Sequence, residues 1–309
     1  MSVIIGVQNL SKEFKETKAV NDLSFTVNEG DVYGFLGQNG AGKSTTIRML
    51  LTLVKPTSGE ISMFGKKLST HRSEILKQVG AVIEKPDLYK YLSAYDNLSI
   101  FARMSGIKVT RQLLMKQLKM VGLEDRASSK VKTFSQGMKQ RLGLAVALVH
   151  NPALVMLDEP TNGLDPQGIA DIRNLILRLS KEMGKTVLIS SHLLSEIELV
   201  ANRMIIIHKG KKIVEGNVAD LLDPAHTVVD IDTNNNDTTR QLLQSSEWNV
   251  FLQKGSQLQL MMDKEMVPQL INDLVAKNVQ ILSVKSSHSL ENYFLSLTTQ
   301  PGYAESFAN

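Results

Sequence analysis

Residues Gly37 to Ser44, with the sequence Gly-Gln-Asn-Gly-Ala-Gly-Lys-Ser, fit the pattern G-x-x-x-x-G-K-[ST]. Glycines in such a loop let the backbone wrap closely round a phosphate, so that consecutive N–H groups point at its oxygens. Lys43 supplies a positive charge for β- and γ-phosphates, and Ser44 supplies a hydroxyl ligand for Mg²⁺. The loop follows an apolar run, Val32–Leu36, and opens a helical pattern, whose N-terminal dipole favours an anion. The segment therefore predicts a binding loop for nucleotide phosphates.

A second candidate for chemistry is a pair of adjacent carboxylates. The apolar run Leu154–Leu157 ends at Asp158 and Glu159. Acids at a strand end are often structural, but here they accompany a phosphate loop that is expected on the same sheet. Asp158 would then complete the Mg²⁺ site, directly or through water, and Glu159 could polarise an attacking water.

A third candidate is the start of a helix at Phe134–Arg141. Ser135 suits the N-cap position and Gly137 follows it, which creates an anion-binding helix end beside a hydroxyl. Most helix starts of this kind have no ligand. A chain with two phosphate-facing helix ends nevertheless suggests that both serve one nucleotide when two copies of the protein meet head to tail.

Composition restricts the class of protein. The chain has 309 residues, of which 42% are hydrophobic and 21% charged, and it contains no cysteine. This balance excludes intrinsic disorder, collagen-like chains and coiled coils. The lack of cysteine excludes disulfides, zinc-thiolate sites, iron–sulfur clusters and a cysteine nucleophile. No apolar run approaches the roughly 18 residues that cross a bilayer, and the N-terminus does not resemble a signal peptide, so we expect a cytosolic chain.

Charge divides the chain into two parts. From Leu222 onward, five Lys/Arg accompany ten Asp/Glu, a net charge of −5, whereas residues 1–221 carry +9. This shift predicts one domain at 1–221 and a small accessory domain at 222–309. Because the basic residues of the first part are scattered, most of them are expected on the solvated surface, and no nucleic-acid partner is expected.

Hydrophobic periodicity in the first part alternates between strands and helices, which predicts a largely parallel sheet covered by helices. Predicted strands cover Val3–Val7, Ala19–Val27, Val32–Leu36, Leu154–Leu157, Val187–Ser190 and Met204–Ile207, with a small hairpin at Glu60–Lys67. Predicted helices cover Lys43–Val54, Ser93 to about Met104, Arg111–Val121, Lys139–Val149 and Pro166–Met183. Residues of about 86–150 therefore form a helical insertion.

The second part predicts a different order of elements. Strands are expected at Thr227–Asp232 and Val279–Val284, a hairpin at Trp248–Gln253 and Gln257–Met262, and helices at Thr238–Leu243, Glu265–Lys277 and Leu290–Leu297. This order matches a small α+β, ferredoxin-like domain. It contains no recognisable catalytic group.

Together these motifs resemble, in order and spacing, the ATP-binding cassette (ABC) ATPases. Residues Gly37–Ser44 look like their Walker A motif, Phe134–Met138 like their signature sequence, and Asp158 with Glu159 like their Walker B pair. Asn162–Asp165 resembles the D-loop, and His192 the switch histidine. The resemblance covers residues 1 to about 220. It implies an α/β P-loop NTPase fold, with a RecA-like core, an antiparallel β subdomain and a helical subdomain.

The resemblance also implies roles for single residues. Catalytic roles fall on Lys43, Glu159 and His192, and metal binding on Ser44, Asp158 and Glu84. Contacts to ATP fall on Phe14, Gly37, Asn39, Gly40, Ala41, Gly42, Lys43, Ser44, Thr45, Ser135, Gly137 and Asp165. Phe14 would stack on adenine, although an aromatic at this place is core packing about as often. Two residues depart from the family pattern, since Gln136 replaces the first signature glycine and Glu84 replaces the Q-loop glutamine.

Glu84–Tyr89, the signature segment and the ending Ser289–Leu295 resemble one exporter group, the bacitracin-resistance and lantibiotic-immunity ATPases. That resemblance implies an ATPase that uses Mg-ATP, forms a homodimer with composite ATP sites, and sits at the cytoplasmic face of the membrane. A separate permease would carry the drug or antimicrobial peptide. The alternatives are a soluble ABC ATPase acting on ribosomes or DNA, and an ATP-gated scaffold without hydrolysis.

Overall fold

The computed structural model describes residues 2–15, 17–222, 227–253, 255 and 257–288. The chain divides into two compact units, Met1–Asn217 and Val218–Asn309. The division falls at 217/218, where the sequence predicted a domain boundary at 221/222. The two domains and their roles stay predictions, because a division into compact units does not show what either unit does.

The first unit alternates strands and helices. Its strands are β1 (Val3–Phe14), β2 (Thr17–Asn28), β3 (Val32–Leu36), β4 (Ser58–Met63), β5 (Lys66–Lys67), β6 (Val79–Ile83), β7 (Leu154–Asp158), β8 (Thr186–Ser191), β9 (Arg203–His208) and β10 (Lys211–Asn217). Its α-helices are α1 (Lys43–Leu50), α2 (Leu68–Leu76), α3 (Ala94–Met104), α4 (Arg111–Met120), α5 (Gln136–Leu148), α6 (Pro166–Lys181) and α7 (Leu194–Glu198). Helix α1 is shorter than the predicted helix at Lys43–Val54, since turns follow Leu50.

The central sheet has six strands in the order β10-β9-β3-β8-β7-β6. All neighbours are parallel except β10, which pairs antiparallel with β9. Strands β3, β7 and β8 are buried at every position, which explains why they appear in the sequence as continuous apolar runs and not as alternating ones. The carboxyl ends of the parallel strands therefore meet at one edge of the sheet, where a ligand binds in open α/β folds.

A second sheet of the first unit is antiparallel, in the order β2-β1-β4-β5. Helices α3, α4 and α5 form the helical insertion that the sequence predicts. Ser93 caps α3 by accepting from the Asp96 N–H at 3.0 Å. The amide of Asn97, fully buried in this insertion, accepts from the Tyr89 N–H at 2.8 Å and donates to the Tyr89 carbonyl at 3.0 Å. That amide fixes the chain that leads from β6 into α3.

A buried ionic network lies at the amino end of β3 and β9. Arg203 Nη1 contacts Asp31 Oδ2 at 3.0 Å and Arg203 Nη2 contacts Glu215 Oε1 at 3.6 Å. The Tyr33 hydroxyl donates to Glu215 at 2.8 Å. Burial, and then the nearby Glu215 carboxylate, raise the pKa of Tyr33 far above its ordinary value, so the phenol stays neutral.

The second unit is smaller, with α8 (Val218–Leu221), β11 (Thr227–Thr233), α9 (Asn236–Gln244), β12 (Gln259–Met262), α10 (Val267–Ala276) and β13 (Ile281–His288). Its sheet has the order β12-β11-β13, and both pairs are antiparallel. Its core includes Val229, Leu243, Trp248, Leu260 and Leu270. The predicted strands at 227–232 and 279–284 and the helices at 238–243 and 265–277 all have counterparts.

One strand predicted in this unit is wrong. The segment predicted as a strand at Trp248–Gln253 is mostly a 3-10 helix, over Glu247–Phe251. Of the expected hairpin, the described residues keep one antiparallel bridge between Leu252 and Leu260. Ser246 caps this turn, and the buried Trp248 indole donates to Asp273 at 3.0 Å. The sheet seen in the described residues has three strands, where a ferredoxin-like domain has four. The helix predicted at Leu290–Leu297 lies outside the described residues, as does the segment Ser289–Leu295.

Candidate nucleotide site

The carboxyl ends of four neighbouring strands carry the predicted site residues. The pairs Leu36 with Ser191 and Asp158 with Ser190 are in register across β3, β8 and β7. Ile83 of β6 lies opposite Asp158, so Glu84 follows directly at the same edge. The strand register therefore places the phosphate loop after β3, the acidic pair after β7 and the histidine after β8 side by side.

The phosphate loop has the geometry that close backbone wrapping needs. Gly40 and Gly42 have φ of 82° and 108°, which only glycine adopts without strain. A Cβ at Gly42 would lie 2.5 Å from the Ala19 carbonyl oxygen, and one at Gly37 would lie 2.7 Å from the Ile207 carbonyl oxygen. Gly42 stands at the N-cap of α1, and no side chain of the described residues caps that helix. Its first N–H groups are therefore available to an anion.

Glu159 lies between Lys43 and His192, the two other residues predicted to be catalytic. Its Oε1 is 3.1 Å from Lys43 Nζ, and its Oε2 is 2.7 Å from His192 Nδ1. Lys43 is 5% exposed and also donates to the carbonyls of Gly37 and Gln38, at 2.6 Å and 3.1 Å. The three predicted catalytic residues therefore form one cluster, in which the Glu159 carboxylate pairs with both Lys43 and His192.

Asp158 is fully buried, and its surroundings leave one oxygen for a further ligand. Ser190 Oγ donates to Asp158 Oδ1 at 2.6 Å and accepts from the Glu159 N–H at 2.9 Å. Asp158 Oδ2 is buried and has no hydrogen-bond partner among the described residues. A buried carboxylate oxygen without a donor is costly unless a cation or water meets it. The residue therefore fits the Mg²⁺ ligand that the sequence predicts.

Glu84 makes a different contact. Its Oε1 pairs with Arg48 Nη2 of α1 at 2.5 Å, and both side chains are largely exposed, at 62% and 40%. Its φ of 55° places a non-glycine residue in the left-handed region, as does the φ of 49° at Glu159. Strained backbone of this kind is concentrated at functional sites. An exposed ion pair of this kind contributes only about 0–1 kcal/mol.

The remaining predicted residues lie outside this cluster. Ser135 is exposed and caps α5 by accepting from the Met138 N–H at 3.2 Å. A Cβ at Gly137 would have Gly168 Cα, 3.9 Å away, as its nearest neighbour, so this helix start has open space beside it. Asp165 is exposed and caps α6 through the Gly168 N–H at 3.1 Å. Phe14 is 46% exposed, with Lys12 Nζ 4.7 Å from its ring centre.

The sequence interpretation missed four residues that the structure brings to the site. These are Arg48, Ser190, Ser191 and Glu196. The two serines end the buried strand beside Asp158, so the rule that identified the acids at the end of β7 would have found them at the end of β8. Nothing in the local pattern distinguishes Arg48 or Glu196 from other charged helix residues.

Comparison with known proteins gives the same assignment. Residues 20–162 match the family model described as ABC transporter. The chain is 43% identical over 307 residues to an uncharacterized ABC transporter ATP-binding protein, YhcH of Bacillus subtilis, covering 96% of this chain and 97% of that protein. It is 50% identical over 215 residues to the bacitracin transport ATP-binding protein BcrA of Bacillus licheniformis, covering 70% of each.

Solved structures are similar as well. A dimeric ATP-binding cassette, MJ0796, in a post-hydrolysis state bound to ADP and Pi, superimposes with a TM-score of 0.63 at 27% identity, covering 70% of this chain and 99% of that one. The predicted P-loop NTPase fold is therefore confirmed. From the phosphate loop and the Lys43–Glu159–His192 cluster, together with these relatives, it follows that the chain belongs to the ABC transporter family, as an ATP-binding and ATP-hydrolysing subunit.

Proposed function

We propose that this chain works as a homodimer that hydrolyses Mg-ATP at the cytoplasmic face of the membrane and drives the export of a peptide antibiotic or drug through a separate permease. The observation that carries the proposal is Glu159, held at 3.1 Å from Lys43 and 2.7 Å from His192. A carboxylate in that place is positioned to orient and deprotonate a water that attacks the γ-phosphate. When ATP binds, phosphate oxygens replace Glu159 as the partner of Lys43. The carboxylate is then free for this role.

The other residues bind and orient. The N–H groups of the phosphate loop and the uncapped start of α1 hold the β- and γ-phosphates. His192 holds Glu159 and faces the terminal phosphate. Asp158, with Ser44 and Glu84, would hold the metal, and Mg²⁺ when bound neutralises charge on the β- and γ-phosphates.

The second half of each site is proposed to come from a second copy of the chain. Ser135 and Gly137 stand at an exposed helix start, where the Ser135 side chain accepts from the Met138 N–H and the N–H groups before Met138 are left for an anion. Open space lies beside Gly137. Asp165, exposed at the start of α6, would lie at the same interface. The dimeric cassette MJ0796 supports this arrangement.

The transport role is supported by the relative that acts in bacitracin transport. Among the described residues, none of the helices combines the length and apolarity that crossing a bilayer requires. The separate permease is proposed from the transport role of that relative. The alternative is action on ribosomes or DNA. Copurification of the chain with an integral membrane protein would favour transport, and copurification with ribosomes or DNA would favour the alternative.

The composite site is tested with Gly137→Asp in a Glu159→Gln background. We expect the Glu159→Gln protein to dimerise on adding Mg-ATP, measured by sedimentation velocity, because ATP remains trapped. The aspartate has room in the monomer but sets a negative charge against the partner's γ-phosphate, so the double variant should bind ATP and stay monomeric. Ser69→Asp in the same background, at an exposed position in the first turn of α2, controls for an added charge. A double variant that still dimerises would contradict the shared site.

The transport role is tested in cells. The chain is expressed with the permease that copurifies with it, and growth is measured in bacitracin and in a lantibiotic. We expect the tolerated concentration of one of them to rise with the native chain and not with Glu159→Gln. Equal tolerance with both chains would contradict peptide export while leaving the ATPase assignment in place.

A further inference from the structure

The carboxylate of Glu196 joins two loops of the nucleotide site. Glu196 lies on α7, and its Oε2 accepts hydrogen bonds from Ser191 Oγ at 2.6 Å and from Thr161 Oγ1 at 2.8 Å. Ser191 directly precedes His192, and Thr161 follows Glu159 by two residues. One oxygen therefore connects the loop that carries the histidine to the loop that carries the carboxylate.

The connection continues to the other side of the histidine. Ser191 Oγ, which donates to Glu196, also accepts from the Leu193 N–H at 3.0 Å. The residues before and after His192 are therefore both fixed by hydrogen bonds. The histidine ring itself is 35% exposed and contacts Glu159, so its position depends on this backbone as well as on that contact.

The energetics favour a carboxylate in this place. Ser191 and Thr161 are 0% and 8% exposed, so water cannot easily replace the acceptor of either hydroxyl. Hydrogen bonds to an ionised acceptor are roughly twice as strong as neutral ones, and both of these are short. Loss of Glu196 would leave two buried hydroxyls without this acceptor and would let the histidine loop shift.

We propose that Glu196 is a positioning residue, whose carboxylate ties Ser191 to Thr161 and thereby holds His192 in hydrogen-bond contact with Glu159. This inference rests on the catalytic roles proposed for His192 and Glu159. It adds a residue that touches neither ATP nor the reacting atoms. Its effect is on the geometry of the Glu159–His192 pair.

The experiment measures steady-state ATP hydrolysis and ATP binding of Glu196→Ala and Glu196→Gln. A displacement of about 1 Å costs up to a hundredfold in rate, so we expect kcat of Glu196→Ala to fall roughly ten- to a hundredfold. KM and ATP affinity should stay within about twofold, because the phosphate loop is untouched. Glu196→Gln keeps an acceptor oxygen and should recover part of the rate. Glu182→Ala, which removes an exposed carboxylate paired with Arg178, is the matched control and should behave as the native chain.

A second comparison separates positioning from a general loss of structure. In a His192→Ala background, Glu196→Ala should lower kcat much less than in the native background, because the residue acts through the histidine. If Glu196→Ala does not fold, Ser191→Ala removes one donor and serves in its place. The inference is overturned if kcat is unchanged, or if the loss is equally large in both backgrounds. If His192→Ala itself leaves kcat unchanged, the proposed catalytic role of the histidine is wrong, and the inference about Glu196, which rests on that role, is wrong with it.

Discussion

Lys43 and Glu159 form an ion pair with an Nζ–Oε1 distance of 3.1 Å, although more than a hundred residues separate them in the chain. The pair exists because β3 and β7 both lie against β8 in the sheet. In the proposed mechanism, a γ-phosphate competes with Glu159 for this lysine. We therefore expect nucleotide binding to release the carboxylate.

Replacement of Glu159 tests this competition. We expect Glu159→Gln to lower kcat by about a hundredfold or more, since a general base is lost. ATP should bind as tightly as before or more tightly, because a neutral amide does not form an ion pair with Lys43. Turnover is measured by phosphate release and binding by titration calorimetry. Phosphate release at the native rate would refute the assigned role, and Glu182→Gln serves as the control at an exposed site.

Replacement of Glu84 tests the proposed metal contact. Its ion pair with Arg48 is largely exposed, so Glu84→Gln should change the free energy of unfolding by less than about 1 kcal/mol. The amide is a weaker ligand for Mg²⁺ than the carboxylate, so half-maximal ATP binding should need more Mg²⁺. Glu60→Gln, from the exposed pair with Lys67, is the control. An unchanged Mg²⁺ dependence would show that Glu84 is not a metal contact.

Replacement of Arg203 tests the buried network. Asp31, which it pairs with at 3.0 Å, is 2% exposed, so Arg203→Met leaves a buried carboxylate without its cation. We expect the free energy of unfolding to fall by about 3–5 kcal/mol, measured by chemical denaturation. Arg178→Met, which breaks an exposed pair with Glu182, should cost about 1 kcal/mol or less. An equal loss of unfolding free energy in Arg203→Met and Arg178→Met would contradict the idea that burial makes the Arg203 pair more important.

Tyr33 makes stability depend on pH in the alkaline range. Its pKa is raised in the folded state, above the ordinary value of 10.0, so above that pH the unfolded chain loses a proton that the folded chain keeps. Stability should therefore be fully present below pH 10 and decline as the pH rises further, by about 1.4 kcal/mol per pH unit from this group. Tyr33→Phe should show a shallower decline in denaturation measured between pH 9 and pH 11. If the free energy of unfolding declines equally with pH in the native chain and in Tyr33→Phe, Tyr33 is not the source of the decline.

Local patterns predicted most of the strands and helices of the first unit. The phosphate loop, the acidic pair and the cap at Ser93 each depend on residues close in sequence, whose chemistry is the same in any fold. The strand prediction at Trp248–Gln253 was wrong for the opposite reason. Its aromatic and β-branched residues favour a strand, but burial of Trp248 and its hydrogen bond to Asp273 stabilise a 3-10 turn. Those partners lie far along the chain, so propensity alone could not predict them.

The amino-acid sequence by itself determined that the chain has a phosphate loop and a carboxylate pair, since each is defined by side-chain type and short spacing. His192 was a candidate only through the family resemblance. Only the tertiary structure decided how these residues meet. The register of β8 between β3 and β7 brings Ser190 to Asp158 and His192 to Glu159, and the fold of α7 brings Glu196 to Ser191. Such contacts depend on strand pairing between distant segments, which no local pattern encodes.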